Sequence, residues 1–188
     1  VICILKGITE RIEADSPIED LEIIDKRTAN SRIKKIEDKM EERIKRCANK
    51  KSCLEELKQI LEVANIDKRS IKNVYMGKIL HLDGDRRYAE KSMKYYKSLG
   101  LNAVVKNIPE SRQASSVRAL LNKYKPDILV LTGHDGMIKK GTAFNDIYNY
   151  RNSKYFIETV NEARKWNDAK SQNLAIFAGA CQSYYEAI

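Results

Sequence analysis

His134 and Cys181 are the residues of this sequence whose types and surroundings suit covalent catalysis. His134 stands in Thr132-Gly133-His134-Asp135-Gly136, and Cys181 in Gly179-Ala180-Cys181-Gln182-Ser183. Each follows an apolar run, Ile128-Leu129-Val130-Leu131 and Leu174-Ala175-Ile176-Phe177. An imidazole near a thiol helps generate the thiolate, and the thiolate attacks a carbonyl. The imidazolium then returns its proton to the leaving amine. The glycines let backbone N–H groups approach a substrate, so the N–H groups of Gly136 and Cys181 are candidate oxyanion-hole donors. A helix is expected to start after Cys181, and its N-terminus would favour the thiolate. Alone, either residue would read as structural, since free cysteines often behave as small core hydrophobes. The pair, each just past an apolar run and each in a Gly-containing loop, favours catalysis. His81 lies inside the run Ile79-Leu80-His81-Leu82 and reads as a core or strand-edge histidine.

These loops need elements to position them. Strands are expected at 79–82, 103–105, 128–131 and 174–177, and helices at 88–99, 114–124 and 155–166. Gly100 is the expected residue just past the first of these helices. Alternating strand and helix is the rhythm of a parallel sheet, and continuous apolar strands fit a sheet covered on both faces. The fold class is α/β: a doubly wound, three-layer open sheet, mostly parallel. Ligands of such sheets sit beyond the carboxyl ends of the strands. There stand Asp83-Gly84-Asp85, His134 and Cys181. If the third and fourth of these strands are neighbours, His134 and Cys181 emerge on one edge.

Residues 1–77 read differently from 78–188, which form the expected catalytic domain, truncated at its C-terminus. Val1 to Leu5 reads as a strand remnant whose partners lie upstream, and Asp15-Ser16-Pro17 as a turn or helix start. Ile33, Ile36, Met40, Ile44 and Cys47 make one helical stripe, and Leu54, Leu57, Leu61 and Ala64 a second. Together they predict an N-terminal helical hairpin that serves as packing. The missing initiator Met suggests a fragment or a processed form.

Composition narrows the classes. The chain has 188 residues, 43% of them hydrophobic, with 8 Gly and 3 Pro. That excludes a fully disordered or fibrous chain. No apolar run approaches the roughly 20 residues of a membrane span. The N-terminus lacks the pattern of a secretory signal. Lys and Arg number 35 against 26 Asp and Glu, a net charge of +9. The basic residues are spread over helices, and no nucleic-acid-binding signature is present, so a solvated basic surface is expected rather than a nucleic-acid partner. Four cysteines without a Cys-x-x-Cys pair suggest neither a disulfide framework nor zinc.

The pattern of apolar strand, His-x-Gly, a second apolar strand and Ala-Cys, with His134 and Cys181 47 residues apart, resembles the caspase-like (clan CD) cysteine peptidases. It departs from caspases in Asp135, which separates His134 from Gly136, and in the residues around Cys181. Longer stretches resemble the sporulation-specific YabG proteases of spore-forming Firmicutes. These are Leu80-His81-Leu82-Asp83-Gly84-Asp85-Arg86-Arg87-Tyr88, Thr132 to Lys140, Phe144 to Asn152, and Phe177 to Tyr184.

The resemblance implies a caspase-like catalytic domain and a thiol protease with His134 and Cys181 as its catalytic pair. It implies no cofactor and no metal. The implied partners are protein substrates, the spore-coat and morphogenetic proteins, cleaved after arginine in the mother-cell cytoplasm or at the spore coat. An arginine-selective pocket needs a carboxylate. Asp85, Asp83 and Asp135, in that order, are the candidates, although Asp83-Gly84-Asp85 reads equally as a strand-ending turn. Tyr148 to Asn152 is either cleft lining or a structural loop, with the structural role favoured.

Two other readings stand beside this one. Asp83 and Asp85 could hold Mg²⁺ and supply an aspartyl nucleophile for phosphoryl transfer. Alternatively, the domain could be a non-catalytic scaffold for acidic spore proteins.

Overall fold

The computed structural model describes residues 1–9, 13–48, 77–138 and 144–188. The chain divides into two compact units, residues 18–76 and residues 1–17 with 77–188. In the first, a 3-10 turn at Ile18–Asp20 precedes the helix α1, Lys26–Ala48. The Asp25 carboxylate caps α1 by accepting the N–H groups of Arg27 and Thr28, both at 2.9 Å. Free N–H groups of a first turn need such an acceptor. Ile33, Met40 and Ile44 are the less exposed positions of the expected stripe, while Ile36 is exposed. The second stripe, Leu54 to Ala64, lies outside the described residues, as do Lys139 and Lys140 at the end of the Thr132–Lys140 stretch.

In the other unit, β1 (Ile2–Lys6) pairs with β2 (Glu13–Pro17) as an antiparallel hairpin, from Ile2 opposite Pro17 to Lys6 opposite Glu13. This corrects two expectations. The partner of the first strand lies downstream in the sequence, and Asp15-Ser16-Pro17 belongs to a strand. Pro17 ends that strand, where a missing N–H is tolerated.

The main sheet has four parallel strands: β3 (Ile79–Asp83), β4 (Ala103–Asn107), β5 (Ile128–Thr132) and β6 (Ala175–Ala178). Their order is β4-β3-β5-β6. The helices are α2 (Arg86–Ser98), α3 (Glu110–Tyr124) and α4 (Ser153–Lys170). Gly100, just past α2, takes φ +67°, as a residue in that position must.

Alternation along the strands separates the two faces. Leu80, Leu82, Leu129 and Leu131 pack with Val117 and Leu121 of α3 and with Phe156, Ala163 and Trp166 of α4. Burying each such leucine stabilises by about 1.5–3 kcal/mol. On the other face His81 meets Tyr96 of α2. β3 and β4 thus lie between α2 on one face and α3 with α4 on the other, while on β6 Ala175 and Phe177 are exposed.

From β3 the chain moves outward to β4, then returns past β3 to β5. Connections from β3 and β5 therefore leave toward opposite sides, and the crevice between their carboxyl ends is the switch point where open α/β sheets bind ligands. β5 and β6 are neighbours, as the emergence of His134 and Cys181 on one edge requires.

Candidate active site

At the end of β3, Asp83 is wholly buried. One of its oxygens accepts the Asp85 N–H at 2.8 Å, and the other accepts the Thr132 hydroxyl at 2.9 Å. That hydroxyl lies 2.6 Å from His81 Nε2, and His81 Nδ1 lies 3.2 Å from the Tyr96 hydroxyl. With the Thr132 proton given to Asp83, Thr132 accepts from His81 Nε2–H, and His81 Nδ1 accepts from Tyr96. His81 is therefore a core histidine bound into a polar chain, as its place in the sequence suggested.

Asp85 does two jobs at once. Its Oδ1 accepts the N–H groups of Arg87 at 2.8 Å and Tyr88 at 3.2 Å, which caps α2. Its Oδ2 lies 2.8 Å from His134 Nε2. Burial would raise this carboxyl, but the bond from His134 and the two N–H groups outweigh it and hold the group below its ordinary value. A carboxylate can only accept, so Nε2 carries a proton, and in the neutral imidazole Nδ1 then holds the lone pair. Nδ1 is buried and has no hydrogen-bond partner among the described residues. The Tyr88 ring meets the imidazole edge-on at 5.9 Å.

The backbone of His134 is held as well. Glu110, the first residue of α3, accepts its N–H at 2.7 Å. The side-chain amide of Asn152 donates to its carbonyl at 2.6 Å. Ring, N–H and carbonyl each have their own anchor, from β3's loop, α3 and the residue before α4.

Cys181 is exposed, on the segment that leaves β6. Gly179 carries that segment away with φ +125°. A Cβ there would lie 2.7 Å from the Tyr185 ring. Its N–H still bonds to the Leu131 carbonyl at 3.1 Å, extending the pairing of β6 with β5. The Tyr185 hydroxyl donates to the Ala180 carbonyl. Burial pushes this phenol up, and the proximity of Cys181 and Asp135 adds to the effect.

Buried Asp135 joins the two loops. Its Oδ1 accepts the N–H groups of Gly136 at 2.9 Å and Asn152 at 2.8 Å. Its Oδ2 accepts the hydroxyl of Ser183 at 2.8 Å and that of Ser153. Ser183 in turn accepts the Ala180 N–H at 2.9 Å. The neighbour of the histidine thus grips the turn that holds the cysteine. No hydrogen bond joins His134 to Cys181 themselves among the described residues; such pairs are commonly loose without substrate.

Several expectations need correction. Asp83 and Asp135 are buried with their oxygens committed to internal donors, so neither is open to a substrate guanidinium. Asp85 is partly exposed but spends its oxygens on α2 and His134. The Gly136 N–H donates to Asp135 and is not available as an oxyanion donor. Turns, not the expected helix, follow Cys181 over residues 182–188. For the phosphoryl-transfer reading, Asp83 is wholly buried, which leaves only Asp85 partly exposed. Among the described residues no group of three His, Cys, Asp or Glu is placed to hold a metal ion.

Within Tyr148 to Asn152 the middle of the segment is tied into the fold, while Tyr148 and Arg151 are exposed. Asn149 and Tyr150 are buried, Tyr150 stacks on Tyr184 at 5.5 Å, and Asn152 serves His134 and Asp135. Sequence reasoning missed Glu110, Asn152, Ser153 and Ser183. For Glu110 one signal was available: a carboxylate three residues past the end of β4, just after Pro109, at a helix start facing the same edge.

An open parallel sheet, a carboxylate-held histidine at its switch point and an exposed thiol on the adjoining loop describe an α/β protein with polar chemistry at the carboxyl ends of its strands. Comparison with known proteins is more specific. The chain belongs to the YabG peptidase U57 family, whose profile matches residues 1–188. Over 112 residues it is 46% identical to the sporulation-specific protease YabG of Bacillus subtilis (strain 168). That match covers 60% of this chain and 38% of that protein, so the chain accounts for only part of its relative's length. No solved structure matches the chain. No helix among the described residues is long and apolar enough to cross a membrane.

Proposed function

We propose that this chain is the catalytic part of a cysteine endopeptidase of caspase-like type that acts during sporulation. Cys181 is the nucleophile and His134 the general base and acid. Asp85 positions the imidazole and stabilises the imidazolium. The observation that carries the reading is the Asp85–His134 pair at the switch point, beside the Cys181 loop that Asp135 ties to it.

The chemistry follows from the tautomer. Asp85 keeps the proton on Nε2, so Nδ1 takes the thiol proton as the sulfur attacks the scissile carbonyl. The same nitrogen then gives the proton to the departing amine, leaving an acyl-enzyme. Water, deprotonated by His134, hydrolyses it. The N–H of Cys181 remains the oxyanion-hole donor of this scheme, without that of Gly136.

The substrates are spore-coat and morphogenetic proteins, cleaved after arginine, in the mother-cell cytoplasm or at the spore coat. The family and the sporulation-specific relative support a role in sporulation. The carboxylate that selects arginine is none of Asp83, Asp85 and Asp135 in their present bonding.

The test sets the wild-type chain beside Cys181→Ala on fluorogenic peptides varied at the residue before the scissile bond, under reducing conditions with EDTA. Cleavage after arginine by the wild type alone supports the reading. Equal cleavage by both removes Cys181 from the mechanism.

A further inference from the structure

We infer that Glu110 is a positioning residue for His134: its carboxylate, seated in a slot left open by two glycines, sets the backbone of the base. This rests on the peptidase reading above and adds a residue that touches neither substrate nor sulfur.

Three observations converge on Glu110. Its Oε1 accepts the His134 N–H at 2.7 Å. A Cβ on Gly133 would lie 2.0 Å from that same oxygen. A Cβ on Gly84 would lie 2.2 Å from the Glu110 carboxyl carbon. Both distances are far inside van der Waals contact, so the carboxyl group occupies the space that side chains at 84 and 133 would fill. Gly84 and Gly133 are the first residues after β3 and β5, so the slot spans the switch point. Neither glycine has positive φ, so their role here is room rather than backbone freedom.

The geometry separates two functions. Asp85 acts on the imidazole through Nε2 and sets its tautomer. Glu110 acts on the main chain and sets where the ring starts from. A base displaced by about 1 Å can lose on the order of 10²-fold in rate. The slot also supplies a second way to break the contact. Alanine at 133 pushes a flexible carboxylate out of place rather than straining the backbone, so Gly133→Ala and Glu110→Ala should remove the same bond.

The experiment measures kcat and KM on the cleaved peptide for Glu110→Ala, Glu110→Gln, Gly133→Ala and the double variant Glu110→Ala/Gly133→Ala in the full chain. Amide hydrogen exchange at His134 and Leu131 is followed alongside. Glu110→Ala should lose between 10- and 100-fold in kcat, order-of-magnitude, with KM little changed. Glutamine retains an acceptor oxygen, so Glu110→Gln should recover most of the rate. The double variant should be no worse than either single one, because a shared contact is lost once. Exchange should quicken at His134 and not at Leu131. Wild-type kcat in Glu110→Ala, a Gln variant as impaired as Ala, or additive losses in the double variant would each overturn the inference. If the wild-type chain cleaves nothing, the peptidase reading fails, and hydrogen exchange alone decides whether Glu110 holds the His134 amide.

Discussion

Asp85 and His134, 49 residues apart in the chain, meet across the switch point with Oδ2 and Nε2 2.8 Å apart. The same aspartate caps α2. One side chain therefore links the start of a helix on one face of the sheet to the imidazole on the neighbouring strand's loop.

Asp85→Asn separates those roles. Asparagine is as good a helix cap as aspartate, so the fold should be kept. It cannot stabilise the imidazolium, and it can present N–H₂ toward Nε2 and reverse the tautomer. Peptide cleavage should fall on the order of 10²-fold or more, with thermal stability little changed. Near-wild-type kcat would remove Asp85 from the mechanism.

Acid should weaken the same contact. The carboxyl of Asp85 is held below its ordinary 3.8 in the folded chain. A lowered folded-state value means that the unfolded chain binds the proton more readily. The stabilisation is therefore fully present above the unfolded-state value and is lost as pH falls through the folded one. Chemical denaturation below about pH 4 should show stability falling less steeply in Asp85→Asn than in the wild type. Parallel acid limbs would count against this.

Ser183→Ala tests the tie between the loops. It leaves buried Asp135 without one of its four donors and the Ala180 N–H without its acceptor. A hydrogen bond to a charged group contributes about 1.5–3 kcal/mol. Denaturant titration should report a loss of that order, and cleavage should fall because the Cys181 loop is no longer held to the His134 loop. An unchanged midpoint with unchanged activity would show that the tie is dispensable.

Much of the sheet was legible from local chemistry. The apolar runs at 79–82, 103–105, 128–131 and 174–177 mark the four strands, although β6 leaves Ala175 and Phe177 exposed and β3 buries His81. The helices between them announce parallel pairing. His134 and Cys181 stood out because a loop just past a buried strand is where polar chemistry gathers. The N-terminal hairpin was misread because Glu13-Ala14-Asp15-Ser16-Pro17 has little strand propensity, and pairing with Ile2–Lys6 overrides it.

What the sequence by itself determined is which residues are apolar, where strands and helices alternate, and which loops carry the thiol and the imidazole. Only the tertiary structure decided how the carboxylates divide their work. Asp83, Asp85, Glu110 and Asp135 carry the same functional group and gather at the carboxyl edge of the sheet, yet one bonds Thr132 from a buried position, one holds the imidazole, one holds its backbone and one binds two loops together. Burial and the direction of each neighbour's donor set those roles. Both depend on strand order and on which face each helix covers, and neither is written in the spacing of residues along the chain.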